Sequence, residues 1–303
     1  IMKNYLFQEA DFYGASSLIF GEKKRPIVCK ATWMHGLGPV LRNRYLKNVI
    51  VHYNETHLPL HLVNNDKTVE QLADQKIDAI AVGMPYIYTK TFLQQKRGNT
   101  VYKRIYFPPH SIGFSQKSRY KRWKNIIAKY NCDAISLTDI DYYHLKKSNY
   151  DLGDVNIIFG AKSDDKSSLE RMALTFFSTK EIITDTRSSH LAYAAASGVK
   201  VRVISEVEEK QQSIPRTKYI PKKYAKDFQY ENNLEKHHEK ITESVFMTGN
   251  DNEIKEYSEY VLGIDSRRSI DEMKSYLTPL NRIQVLNIVS LLLINKFMRK
   301  VGI

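Results

Sequence analysis

Three short segments combine residue types that could handle a phosphate or a hydroxyl. In Ile182-Ile-Thr-Asp-Thr-Arg-Ser-Ser-His190 a strand-like run ends at Asp185, and Ser188-Ser189-His190 opens an alanine-rich helical stretch. The first turn of a helix carries unpaired backbone N–H groups and the positive end of the helix dipole. Two hydroxyls and an imidazole at that place make a site for a phosphate or diphosphate, with Asp185 beside it. The plainer reading takes Ser188 as an N-cap, Ser189 as a helix residue and His190 as a packed side chain. In Tyr106-Phe-Pro-Pro-His-Ser-Ile-Gly113, His110 and Ser111 follow a second strand-like run and are expected at the same sheet edge. In Thr32-Trp-Met-His-Gly-Leu-Gly-Pro39, His35 sits by two glycines that let a ligand approach the backbone. Histidine is the natural general base for a hydroxyl nucleophile at neutral pH.

Other patterns are weaker. Asp139-Ile-Asp141 has the spacing of a divalent-metal motif, but a solvated loop between strands accounts for it equally well, and no metal is expected. His57-Leu-Pro-Leu-His61 has the spacing of helical zinc ligands, which Pro59 spoils. His237-His238 lies in a charged stretch and is read as solvent-facing. The chain has no G-x-S-x-G, Walker A or G-x-G-x-x-G motif.

The elements needed to position these residues are clearest in the middle of the chain. Strands are expected at 104–107, 132–137, 155–160, 181–185 and 200–204, and helices at 116–130, 164–179 and 188–197. In the first helix Tyr120, Trp123, Ile126, Ile127 and Tyr130 recur at spacings of three and four. Alternating strand and helix is the pattern of a parallel sheet covered on both faces. Earlier, strands are expected at 26–30, 48–52 and 79–82 and a helix at 68–76; residues 88–100 make a crossing between domains. Helices are expected at roughly 251–262, 269–277 and 279–300, the last with an apolar stripe including Leu280, Ile283, Leu286 and Leu293.

With 303 residues and 42% hydrophobic content the chain can bury a proper core, which excludes disordered and disulfide-scaffold classes. Two cysteines, Cys29 and Cys132, fit a reduced compartment. Lys and Arg number 46 against 33 Asp and Glu, a formal net charge of +13 that suggests polyanionic company. Residues 1–12 are charged and aromatic rather than an apolar leader core, and Val285–Ile294 is about half the length of a spanning helix. A cytoplasmic location is expected, peripheral at the inner face of the membrane, with the basic residues and terminal stripe against anionic lipid. No nucleic-acid partner is expected, since the aromatics near the basic cluster at 117–124 fall at helical core spacing.

Taken in order, Trp33-Met-His-Gly36, Ala81-Val-Gly-Met-Pro-Tyr86, Phe107-Pro-Pro-His-Ser111, Thr184-Asp-Thr-Arg-Ser-Ser-His190 and Gly198-Val-Lys-Val201 form a series. It resembles bacterial surface-polysaccharide glycosyltransferases of the GT-B class, notably the CMP-sugar-dependent β-Kdo transferases of lipopolysaccharide and capsule synthesis. More loosely it is similar to CDP-glycerol glycerophosphotransferases, although Met34 interrupts the first element. The resemblance implies an α/β, GT-B-like fold of two Rossmann-type domains facing across a cleft. It makes Ser188, Ser189 and His190 the donor-phosphate site, His110 and Ser111 nucleotide contacts, and His35 the acceptor-side catalytic candidate. Asp11 and Glu55 are the carboxylate candidates. The domains are expected at 1–99 (acceptor side), 100–278 (nucleotide-sugar side) and 279–303 (amphipathic helix). The expected activity is metal-independent sugar transfer, with no cofactor, from a nucleotide-activated donor, CMP-linked by family implication, to a glycan or lipid-linked acceptor. The alternatives are a non-catalytic nucleotide-sugar or polyanion binder of the same fold, a polyol-phosphate transferase of the CDP-glycerol type, and a nucleotide-sugar epimerase.

Overall fold

The computed structural model describes residues 13–21, 29, 31–36, 42–43, 48–49, 60–73, 78–89, 101–109, 116–162, 165–186, 188–204, 241–242, 244–279, 281, 283 and 290. Helix α1 (Ala15–Phe20) precedes strand β1 (Ala31–Trp33); β2 (Arg42–Asn43) and β3 (Asn48–Val49) form a short antiparallel pair. Strand β4 (Leu60–Val63), helix α2 (Asp66–Ala73) and β5 (Ala79–Ala81) follow. β1, β4 and β5 make a parallel sheet with β4 in the centre.

The second sheet is longer. Its elements are β6 (Tyr102–Phe107), α3 (Gln116–Tyr130), β7 (Ala134–Leu137), α4 (Asp139–Ser148), β8 (Asn156–Phe159), α5 (Ser168–Phe177), β9 (Thr179–Thr184), α6 (Ser189–Ala196) and β10 (Lys200–Val203). All five strands are parallel, in the spatial order β10-β9-β6-β7-β8. This is the strand order of a Rossmann unit, with the chain reversing direction across the sheet between β6 and β9. The α/β expectation therefore holds, with a three-stranded and a five-stranded parallel sheet.

The apolar periodicity explains why these segments fold as they do. Tyr120, Trp123 and Ile126 of α3 are fully buried, and Ile182 and Ile183 of β9 are buried on both faces of the sheet. Glu181, buried in β9, is held by Arg104 of β6 at 2.6 Å and Arg202 of β10 at 2.9 Å, which ties three adjacent strands. Helices α7 (Asp251–Leu262) and α8 (Ile270–Tyr276) both open on capping boxes, Asn250 with Glu253 and Ser269 with Glu272. Helix α7 packs on α6 of the second unit while its last turn meets the first. The Asn64 amide donates to the Val261 carbonyl at 2.8 Å, and Met84 N–H to that of Leu262 at 2.8 Å.

Some expectations are corrected. Asp139 and Asp141 lie in the first turn of α4, not in a loop, because Thr138 caps that helix by accepting from Asp141 N–H. Strand β1 before His35 spans Ala31–Trp33; of the strand expected at 26–30 only Cys29 lies among the described residues, bridging to Pro279. His61 lies in the central strand β4, in keeping with Pro59 spoiling a helical spacing there. The crossing at 90–100 lies outside the described residues, as do all but 279, 281, 283 and 290 of the terminal helix. Among the described residues no helix is long and apolar enough to cross a membrane.

Candidate functional site

Ligands of open α/β sheets sit beyond the carboxyl ends of the strands, where the strand order reverses. A cavity of about 270 Å³ occupies that place. Phe107 and Pro108 at the end of β6, Leu137 and Thr138 at the end of β7, Gly160 and Ala161 after β8, and Thr186, Ser188, Ser189 and His190 after β9 supply its floor. Tyr13, His35 and Gly36, from the first unit, supply the facing wall.

The start of α6 carries the densest polar network. Ser188 is at the N-cap position with extended backbone, yet its hydroxyl makes no capping bond to the helix. It lies instead 2.5 Å from Nδ1 of His190. Nε2 of the same ring is 3.1 Å from the Thr184 hydroxyl, which donates to the Phe107 carbonyl at 2.8 Å. The imidazole stacks on the Phe107 ring, with centroids 5.1 Å apart and planes 12° apart. His190 is thus a packed residue, and one whose two nitrogens are both engaged by hydroxyls at the cavity.

A second network leads from α6 to the opposite wall. The Ser189 hydroxyl bonds to that of Tyr193, which donates to the His35 carbonyl at 3.1 Å. Burial pushes the Tyr193 phenol well above its usual value, so it remains a donor. Its ring stacks on Tyr86 at 4.2 Å and 11°, and Tyr86 in turn meets Ser197 at 2.7 Å. The ring of Tyr13 meets that of His35 edge-on at 5.7 Å. The backbone and the ring of His35 are therefore both positioned.

Two buried carboxylates flank the region, each held by an arginine of α3. Asp141 lines the cavity, but Arg119 occupies one oxygen at 2.8 Å and the Thr138 hydroxyl donates to the other at 2.7 Å. Asp139 is 3.2 Å from Lys162. Asp185 is not among the lining residues: its carboxylate accepts from Arg122 at 2.7 Å and from the Tyr106 hydroxyl at 3.0 Å. Burial raises its pKa against the pull of Arg122 and Tyr106. Among the described residues no cluster of three or more His, Cys, Asp or Glu has a metal-holding arrangement.

Of the residues singled out in the sequence, the fold brings His35, Ser188, Ser189 and His190 to one cavity. Asp185 is instead held by Arg122 and Tyr106 and does not line that cavity. His110, Ser111, Asp11 and Glu55 lie outside the described residues. Sequence reading missed Tyr13, and it missed the tie from Tyr193 to His35 across 158 positions, for which no local pattern gives a signal. The Thr138-x-x-Asp141 cap was a usable signal for α4.

No family model matches the chain, and no curated protein does. Several solved structures are similar to it at low TM-score. MnaA of S. aureus with UDP is 14% identical, covering 89% of this chain and 72% of that one, at a TM-score of 0.40. The UDP-GlcNAc 2-epimerase of Neisseria meningitidis bound to UDP-GlcNAc is 13% identical, covering 80% and 71%, at 0.34. The pneumococcal O-GlcNAc transferase GtfA with UDP and GlcNAc is 11% identical, covering 95% and 59%, at 0.36. At such scores what this chain binds must be argued from its own residues.

Proposed function

We propose that the chain transfers a sugar from a nucleotide-activated donor to an acceptor hydroxyl. One observation carries this reading: a cavity at the strand-order reversal has a helix start with hydroxyls on one side and a positioned histidine from the other unit facing it. The donor's phosphate would lie at Ser188 and Ser189, where the helix N-terminus and the Ser188 hydroxyl offset its charge. His35 would take the proton from the acceptor as the glycosidic bond forms and the nucleotide leaves. The helix dipole and hydroxyls would stabilise the leaving phosphate, so activity should survive EDTA. The engagement of Asp139 by Lys162 and Asp141 by Arg119 supports a reaction that does not use them as metal ligands.

The finer proposal follows the sequence resemblance: a CMP-linked donor and a lipid-borne surface-glycan acceptor. The enzyme would be cytoplasmic, held at the inner membrane face by its net charge of +13. A second reading, nucleotide-sugar binding without transfer, is favoured by one feature. Asp141, the carboxylate lining the cavity among the described residues, has both oxygens engaged. The same feature speaks against an epimerase, which would need carboxylates converging on the sugar.

A thermal-shift panel of CMP, CDP, UDP and GDP tests the reading. A specific ligand at about 100 times its Kd should add about 2.7 kcal/mol of stability, enough to rank the bases. A ranked response with turnover of the matching sugar nucleotide supports transfer; a response without turnover favours the binder. If no nucleotide raises the melting temperature, both readings fail.

A further inference from the structure

Counting donors and acceptors around His190 determines what the cavity offers a ligand. The Thr184 hydroxyl has one proton and two carbonyl acceptors in reach, Phe107 at 2.8 Å and Thr186 at 3.3 Å. Toward His190 it is therefore an acceptor, and the ring must carry its hydrogen on Nε2. In the neutral ring Nδ1 is then an acceptor, and the Ser188 hydroxyl points its only proton at it. That leaves Ser188 with lone pairs alone for the cavity, the wrong polarity for a phosphate oxygen. Protonation of the ring reverses this. Nδ1–H donates to Ser188, and the serine proton is released toward the ligand.

We propose that binding of a phosphate-bearing ligand takes up a proton at His190, which turns the Ser188 hydroxyl from acceptor to donor. This rests on the nucleotide-sugar reading above. His190 is a positioning residue here, acting through Ser188. Strand β6 gives it Phe107, β9 gives Thr184, and α5 gives the cavity the apolar Met172. Its own helix adds Tyr193, and the facing wall adds Tyr13, both phenols raised by burial. The carboxylates nearby are held, Asp141 by Arg119 and Asp185 by Arg122 with Tyr106. His35 is the remaining titratable side chain at the cavity among the described residues.

The test measures Kd for a CMP-linked and a UDP-linked sugar, whose phosphates do not titrate near neutrality, from about pH 5.5 to about pH 8.5. The parent nucleosides serve as controls. Affinity for the sugar nucleotide should fall toward tenfold per pH unit above the ordinary histidine value of about 6.5. The nucleosides should show no such slope. Calorimetry in two buffers of different ionisation enthalpy should register about one proton taken up. His190→Gln should flatten the profile, and His35→Gln should leave its slope. Should His190→Gln fail to fold, Ser188→Ala is the second variant: affinity at the acid end should drop to the wild-type alkaline value, with Ser188→Thr restoring it. A pH-independent Kd, or a slope that vanishes in His35→Gln and survives in His190→Gln, overturns the proposal while the nucleotide reading stands. Failure of both sugar nucleotides to bind refutes that reading, and the proposal with it.

Discussion

The two parallel sheets treat their carboxyl edges in opposite ways. Beyond β6 to β9 the edge opens into a cavity with hydroxyls and an imidazole. Beyond β4 and β5 it is closed by the end of α7: Asn64 and Met84 satisfy the Val261 and Leu262 carbonyls, and Arg268 donates to the Ala81 carbonyl at 3.2 Å. The C-terminal carbonyls that a helix leaves unpaired are thus met by the first unit. Each unit also buries a histidine among the described residues. His190 has both ring nitrogens bonded to hydroxyls, whereas Nδ1 of His61 has no partner among the described residues. Opposite His61 in register stands Thr32, whose buried hydroxyl is likewise without one. One edge opens into a cavity and the other anchors the chain's late helices; among the described residues Tyr13 and the turn through His35 reach from the first unit to the open edge.

The largest expected effect breaks the closed edge. Gly263 has φ +68°, and a Cβ there would lie 1.6 Å from the Asn64 carbonyl oxygen. Gly263→Ala should therefore cost on the order of 5 kcal/mol or abolish folding. Gly198 has a similar φ of +79° with nothing within 4 Å, so Gly198→Ala should cost only about 1 kcal/mol. Denaturant midpoints of the two variants separate close approach from backbone strain, and equal losses would refute the difference.

Next comes the ion pair beside the open edge. Asp141→Ala removes the carboxylate paired with the Arg119 guanidinium, whose side chain is 8% exposed, and should cost about 3–5 kcal/mol. Replacing both, as Arg119→Met with Asp141→Leu, should recover most of it. No recovery would mean that Asp141 matters for something other than neutralising Arg119.

At the site itself, Ser188→Ala should weaken binding of the sugar nucleotide ten- to hundredfold at mildly acid pH, since a hydrogen bond to a charged phosphate contributes roughly 1.5–3 kcal/mol. Titration at constant pH measures it, and unchanged affinity would remove Ser188 from the donor site.

The smallest effect belongs to His61. Burial lowers its pKa despite its bond to the Asp78 backbone. A base held below its unfolded value of about 6.5 contributes stability that is present above that pH and lost as pH falls toward the folded value. Acidification from about pH 7.5 to about pH 5 should cost at most about 1.4 kcal/mol per pH unit, and His61→Gln should remove that dependence. An identical pH profile in the variant would show that His61 does not titrate on unfolding.

The sequence by itself determined the middle of the molecule. The three-and-four spacing of Tyr120, Trp123, Ile126 and Ile127 predicts the helix over 116–130, and α3 spans Gln116–Tyr130. Alternating apolar strands and helices define a parallel sheet through local periodicity, because each element must bury one face. The serines and histidine at the start of α6 are legible for the same reason: strand, turn and cap follow one another in the chain. The first sheet was harder to read, since β1 has only three residues and β4 four, too short for a period to show. Tertiary structure alone decided the use of the polar residues. Asp185 and His190 are five positions apart, yet one meets Arg122 from α3 and the other the cavity, because the chain turns between them into α6. It also decided that Tyr193 holds His35 and that Asn64 holds Val261, across 158 and 197 positions. Such bonds depend on which edges meet when the two sheets pack, and no local pattern encodes that.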